Sequence, residues 1–428
     1  MSLDDEPQLA ERIFFQATLG AAAAFLPPCE AHEGPSTALL ARLQASATTP
    51  GQLRACREEL HLALHGNPNK VTLCTGTLRA LYLCTACLEA RLALNLSSAS
   101  PADILQALDV AQMLCPPHPL LSALIAFAQE ALGEEVPPEL PCLFPEAVAR
   151  VAAAAELAGV GQPLPHLDAP SLAAFAATAL QPPSPRPCRI RGALAHWPAL
   201  ATPAPGAQDR RWCRLAYLWR AAGKRTVPIE VGGSGSGGYL APAFALQLTP
   251  LSVFLETVVA PSVREFLNGA GASREATAPP AAAYLAQHAL LDFVPSLRAD
   301  IGEPDYIACA TNEGDGGHVS AKAWLGPLGT YTNFHNDPTH NLLAQVVGVK
   351  RVRLFPPQAA AALRPAPPPL QNTATLPRET FSNPALVAAF PFPMLETVLH
   401  PGDMAFIPKG WWHEVEALTP SFSVSFWW

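Results

Sequence analysis

The spacing of apolar residues changes once along this 428-residue chain, near residue 160, and the two halves call for different architectures. Before the change, apolar residues recur at helical spacing over residues 9–25, 39–43, 53–64, 71–96, 104–114, 120–132 and 148–157. Gly66-Asn67-Pro68-Asn69, Pro116-Pro117 and Pro137-Pro138 punctuate these stretches. The pattern predicts antiparallel helices packed as hairpins, without a fixed-period repeat. A domain of this kind serves equally well as a protein-interaction module or as a packing scaffold. After Gly159-Val160-Gly161-Gln162-Pro163 the strand candidates are residues 188–191, 226–231, 319–324, 341–347, 349–355, 396–399, 404–407 and 421–428. Short strands separated by turns predict a sandwich or barrel. The expected class is α+β, with an all-α helical domain over residues 1–162 and a β-rich domain over 163–428.

The β-rich half carries a metal-ligand pattern. His335-Asn336-Asp337 is followed at a distance by His413. Residues two apart in a strand share a side, so His335 and Asp337 can chelate one ion while Asn336 faces away. The third ligand must come from another strand. His413 stands where one begins, after the turn and short strand of residues 401–408 and beside Trp411 and Trp412. Two imidazoles and one carboxylate on one face are what a non-haem Fe(II) oxygenase uses, with the other positions left open. His-x-Asp alone is common by chance, and a histidine among aromatics is usually a packed core residue. Here the pair, the later histidine and the strand-like context coincide. His340 falls on the opposite strand face from His335 and is a poor ligand candidate.

Residues 349–355 alternate. Lys350, Val352 and Leu354 share one face, and Arg351 and Arg353 share the other, which reads as solvated. An unpaired ammonium on an aliphatic face is costly. Lys350 either snorkels out at the strand end or meets the carboxylate of a bound ligand such as 2-oxoglutarate. The last strand also alternates. Phe422, Val424, Phe426 and Trp428 oppose Ser421, Ser423, Ser425 and Trp427, and the serine face lines either a polar cavity or the outer surface. Glu230 is a carboxylate in an otherwise apolar strand, and it calls for a cation: an internal partner or an incoming guanidinium.

Composition excludes several classes. No apolar run is long enough to span a bilayer, and the start, Asp4-Asp5-Glu6, lacks the basic residues of a signal peptide. A soluble intracellular protein, nuclear or cytoplasmic, is expected. A net charge of −8 argues against a general nucleic-acid binder. The ten cysteines read as reduced thiols, and Cys84-Thr85-Ala86-Cys87 lies in a helical pattern with no second pair. The loop over residues 232–238 lacks the lysine and the strand–helix setting of a phosphate loop.

Together, Trp324-Leu325-Gly326-Pro327, Asn333-Phe334-His335-Asn336-Asp337-Pro338, Gln345-Val346-Val347-Gly348-Val349-Lys350, Pro401-Gly402-Asp403 and the final strand resemble JmjC-domain oxygenases. The resemblance runs from about residue 165 to the end. It implies a double-stranded β-helix barrel of the cupin type with flanking helices, holding Fe(II) and 2-oxoglutarate with O2 as the second co-substrate. It implies His335, Asp337 and His413 as metal ligands and catalytic centre. Tyr284, Thr332, Asn341 and Lys350 match positions that hold 2-oxoglutarate, and Trp427 matches one against the same pocket. Thr332 stands for a serine and keeps the hydroxyl. Glu230 matches the acidic residue that receives a substrate arginine, with Trp324 as its neighbour.

Family activities include arginine hydroxylation, methyl-lysine demethylation and proteolysis. Glu230 favours hydroxylation of arginine in a protein or peptide. Hydroxylation at a methylene gives a stable alcohol, whereas at an N-methyl group it ends in loss of formaldehyde. The alternatives are demethylation of N-methyl-lysine in histone tails, a related hydroxylase for another residue or for RNA, which the net acidity weighs against, and a non-catalytic JmjC scaffold. Residues 311–318 and 232–238 depart from the family pattern and leave the substrate open.

Overall fold

The computed structural model describes residues 50–65, 79, 82–83, 85–90, 93, 99–115, 118–133, 137–180, 184–232, 244–269, 283–309 and 319–428. Outside them lie the helical stretches expected at 9–25 and 39–43, most of 71–96, Cys84, and the loops 233–238 and 311–318. The chain forms two compact units, one up to Glu135 with Lys224–Thr226, the other Val136–Gly223 with Val227–Trp428. The division therefore falls before the 162/163 boundary expected from the change of period. The helix Pro145–Leu157 buries Val148, Ala152 and Ala155 in the same apolar core as Phe175, Ile190 and Trp212, so it belongs with the strands that follow.

The first unit is helical where described. Helices Pro50–His65, Pro101–Leu114 and Pro119–Ala131 contribute Leu60, Leu108 and Ile125 to a core shared with Tyr82. Ser100 starts the second of these by accepting a hydrogen bond from the Asp103 amide at 3.2 Å, with Pro101 in the first turn where its missing N–H costs nothing.

The second unit contains β1 (Gln162–Pro163), β2 (His166–Asp168), β3 (Cys188–Arg191), β4 (Thr226–Val231), β5 (Ala245–Pro250), β6 (Ala283–His288) and β7 (Ser320–Gly326). It continues with β8 (Tyr331–Asn336), β9 (Asn341–Val347), β10 (Lys350–Phe355), β11 (Leu395–Leu399), β12 (Met404–Ile407), β13 (Trp412–Ala417) and β14 (Ser421–Trp427). They form a five-stranded sheet, β1-β11-β10-β13-β8, and a nine-stranded sheet, β2-β3-β12-β9-β14-β7-β6-β4-β5. From β8 onward the chain passes repeatedly from one sheet to the other. Inward-facing Leu343, Val352, Leu354, Leu399, Ala405 and Ile407 fill the space between them.

The central strands β12, β9 and β14 of the nine-stranded sheet are buried on both faces. Phe406 of β12 lies 5.2 Å from the Phe175 ring, Phe422 of β14 lies 4.4 Å from Trp212, and Phe426 lies 6.1 Å from Trp197. The aromatic face of β14 therefore points outward onto Trp212 and Trp197, and its serine face points into the barrel. The expectation of a solvated arginine face on β10 is corrected. Arg353 is 2% exposed and sits on the outer face of the five-stranded sheet, 2.7 Å from Glu414 and 3.3 Å from Glu396. Arg351 pairs there with Glu396 and Glu416. Strand alternation gave the correct face, but the glutamates on β11 and β13 that close over it come from distant sequence.

Gly348, at φ +76°, makes the tight turn from β9 to β10; a Cβ there would collide with the Pro420 carbonyl oxygen. Among the described residues no helix is long and apolar enough to cross a membrane.

Candidate functional site

His335 on β8 and His413 on β13 are direct cross-strand partners, so both side chains leave the sheet on its inner face. Their ring centroids are 4.2 Å apart. Asp337 follows one residue after β8 ends at Asn336, and its side chain still turns to the same side. Its oxygens lie 3.9 Å from His335 Nε2 and 3.7 Å from His413 Nε2. One donor atom from each of the three residues falls within 4.8 Å of the others.

Both histidines are held by a backbone carbonyl. His335 Nδ1 lies 2.8 Å from the Asn333 oxygen, and His413 Nδ1 lies 3.1 Å from the Trp411 oxygen. Each carbonyl accepts from Nδ1–H, which leaves Nε2 with its lone pair toward the centre. Burial, followed by the neighbouring His335, holds His413 well below the usual histidine pKa and keeps it in the neutral, ligating form. The Trp427 indole N–H donates to Asp337 Oδ2 at 2.9 Å and orients the carboxylate. His340 lies apart from this cluster; its Nδ1 accepts from the Lys409 amide at 3.0 Å.

A cavity opens beside the three donors. Tyr284, Trp324, Thr332, Asn341, Lys350 and Trp427 all line it, and Leu343, Ile407 and Val415 supply apolar wall. Lys350 is 1% exposed. Its Nζ donates to Ser423 Oγ at 2.6 Å and Tyr284 Oη at 3.2 Å, and lies 5.6 Å from the Tyr284 ring centroid. Among the described residues no carboxylate comes within ion-pair distance of it, and burial drives its pKa down to about 7. Snorkelling is therefore not its solution. Asn341 is 3% exposed, and its side-chain oxygen has no hydrogen-bond partner. A buried cation without a counterion is what a carboxylate ligand would complete.

Trp324 donates from Nε1 to Ser425 Oγ at 3.1 Å, and its ring stands 6.0 Å from Tyr284 and 6.2 Å from Trp427. Gly326 lets Tyr284 approach, since a Cβ there would lie 2.6 Å from the ring. Glu230 on β4 is the register partner of Tyr284 on β6, so it shares the face that Tyr284 turns to the cavity. Among the described residues it has no ion-pair partner, and burial raises its carboxyl to about 7.

The sequence reading did not single out Ser423 as a partner of Lys350 or Ser425 as a partner of Trp324. The alternation in β14 carried that signal, but could not choose between the two faces of a sheet covered on both sides. The strand that holds Tyr284 was also not among those expected.

A two-histidine, one-carboxylate face beside a cavity with a buried cation defines a class before any comparison is made. Residues 177–428 match the cupin-like domain family, and the chain belongs to that family as a JmjC-type member. It is 39% identical over 271 residues to Jumonji C domain-containing protein 5 of Drosophila melanogaster, covering 62% of this chain and 59% of that protein. It is 38% identical over 269 residues to Lysine-specific demethylase 8 of Danio rerio, covering 62% of this chain and 58% of that one. Lysine-specific demethylase JMJ30 of Arabidopsis thaliana is 37% identical over 243 residues, covering 56% and 49%. The chain thus spans about half to three-fifths of the length of these relatives. The fold is α+β, with an N-terminal helical part and a cupin-type barrel. The cofactors of JmjC cupin proteins are Fe(II) and 2-oxoglutarate with O2, and the donor set here fits them.

Proposed function

We propose that this chain is an Fe(II)- and 2-oxoglutarate-dependent protein hydroxylase whose substrate group is an arginine side chain. The observation that carries the arginine assignment is Glu230. It is a largely buried carboxylate with no cationic partner among the described residues, on the same face as Tyr284. A guanidinium offers two parallel N–H donors to both its oxygens and neutralises it where water is scarce.

In this reading His335, Asp337 and His413 hold the metal through Nε2, a carboxylate oxygen and Nε2. Lys350 takes the distal carboxylate of 2-oxoglutarate, with Tyr284, Thr332 and Asn341 adding hydrogen bonds. When bound, the metal and keto acid together supply the activation of O2 that inserts oxygen into a C–H bond. The protein's part is positioning. Trp427 keeps Asp337 turned to the metal, the carbonyls of Asn333 and Trp411 keep both imidazoles in one tautomer, and Leu343, Ile407 and Val415 exclude water. Glu230, with Trp324 as an aromatic wall, fixes the arginine so that one methylene faces the metal.

N-methyl-lysine demethylation is the second reading, because two of the relatives are named lysine-specific demethylases. Mass spectrometry of arginine peptides and N-methyl-lysine peptides after incubation with Fe(II), 2-oxoglutarate and O2 separates them. Gain of one oxygen on arginine supports the first; formaldehyde release with loss of a methyl group supports the second. Coupled turnover of neither would leave a scaffold role.

A further inference from the structure

The face of the five-stranded sheet opposite the metal ligands carries a charge network unused by the reaction. Glu414, the residue after His413, is 1% exposed and accepts from Arg353 Nη1 at 2.7 Å and from the Tyr331 hydroxyl at 2.5 Å. Arg353 continues to Glu396, whose Oε2 also accepts the amides of Val160 at 3.1 Å and Gly161 at 3.0 Å. Arg378 stacks over the Tyr331 ring at 4.7 Å and pairs with Glu416. Buried ion networks contribute little net stability compared with apolar packing. Their position here points to geometry.

That geometry is the β8–β13 register. His413 pairs with His335 and Val415 pairs with Thr332, so β8 has one residue more than β13 over this interval. The surplus falls at Asn333–Phe334 and forms a bulge. The carbonyl that fixes the His335 ring belongs to Asn333, inside the bulge. Glu414 is the β13 residue that faces the bulge, Tyr331 lies on β8 just before it, and their hydrogen bond ties the bulge to the regular pairing of Tyr331 with Glu416. A bulge is a point where a register can slip, and a slip here would turn the Asn333 carbonyl away from His335.

We infer that Tyr331, with Glu414 and Arg353, is a positioning staple: it holds the β8 bulge so that the Asn333 carbonyl aims the His335 imidazole at the metal. The inference rests on His335, Asp337 and His413 being the metal ligands. That premise is tested separately by Co(II) binding to the full chain and its loss in His413→Ala.

The test is a Co(II) titration of the full chain and of Tyr331→Phe, followed by the visible d–d absorption, with thermal melting of the metal-free proteins alongside. Tyr331→Phe keeps the ring and its stacking with Arg378 but loses the hydroxyl. The expected result is a roughly tenfold weaker Co(II) affinity and an altered d–d band, with metal-free melting unchanged. Glu414→Gln still accepts from Tyr331 and is expected to fall between the two. Unchanged Co(II) affinity and band shape in Tyr331→Phe would overturn the inference. So would a loss of affinity accompanied by a matching fall in metal-free melting temperature, which would make the staple a general stabiliser.

Discussion

Lys350 brings an ionisable group into the barrel, and Glu230 lies on β4 opposite Tyr284, each without an ion-pair partner among the described residues. Their pKa values converge on about 7 from opposite directions, both through burial. The signs of the pH dependence follow. A carboxylate ligand favours the charged ammonium, so 2-oxoglutarate affinity is full below about pH 7 and falls roughly tenfold per unit above it, until the ligand-bound pKa is reached. A guanidinium favours the charged carboxylate, so arginine affinity is full above about pH 7 and falls below it. Calorimetric titration of the metal-loaded protein under anaerobic conditions at several pH values checks both; parallel pH trends for the two ligands would refute the assignment. Replacing Lys350 by Met removes the cation at similar volume and is expected to weaken 2-oxoglutarate binding by about 2–5 kcal/mol. Glu230→Ala is expected to spare uncoupled 2-oxoglutarate turnover while costing about 2–3 kcal/mol in arginine-peptide binding. Retained arginine hydroxylation in that variant would remove Glu230 from its role.

Strand placement decides how much of the site the sequence can disclose. His335 and Asp337 were legible because they lie two apart in a strand-like run, and Lys350 because a cation interrupts an aliphatic face. The fate of Arg353 was not, since its burial depends on Glu396 and Glu414, which reach it only through the β10–β11 and β10–β13 pairings. The serine face of β14 was ambiguous for a related reason: this strand is buried on both sides, so its polarity does not say which side faces the barrel. At this scale Gly348 is a sensitive turn. Gly348→Ala meets both a positive φ and the Pro420 carbonyl, and is expected to destabilise the unit by about 2–4 kcal/mol in denaturant unfolding. A change below about 0.5 kcal/mol would mean the turn can relax, against the register described.

Over the whole molecule, the change of apolar period announces two kinds of structure but not which of the two each helix packs against. Pro145–Leu157 reads as one more helix of the helical half, and only its packing against the second core assigns it. Periodicity reports the type of an element, not its neighbours. The class of the β-rich unit was legible for the converse reason. The residues that carry it are chemically unusual where they stand, and their spacing admits few folds.

On the proposed function, this barrel holds Fe(II) and 2-oxoglutarate together at His335, Asp337 and His413. Anaerobic titration of the purified protein with Fe(II) and then 2-oxoglutarate, followed by visible absorbance, tests it directly. The expected result is a charge-transfer band from metal to keto acid that appears only with both present and is absent in His413→Ala. Metal binding without the band, or a band that survives loss of His413, would contradict it.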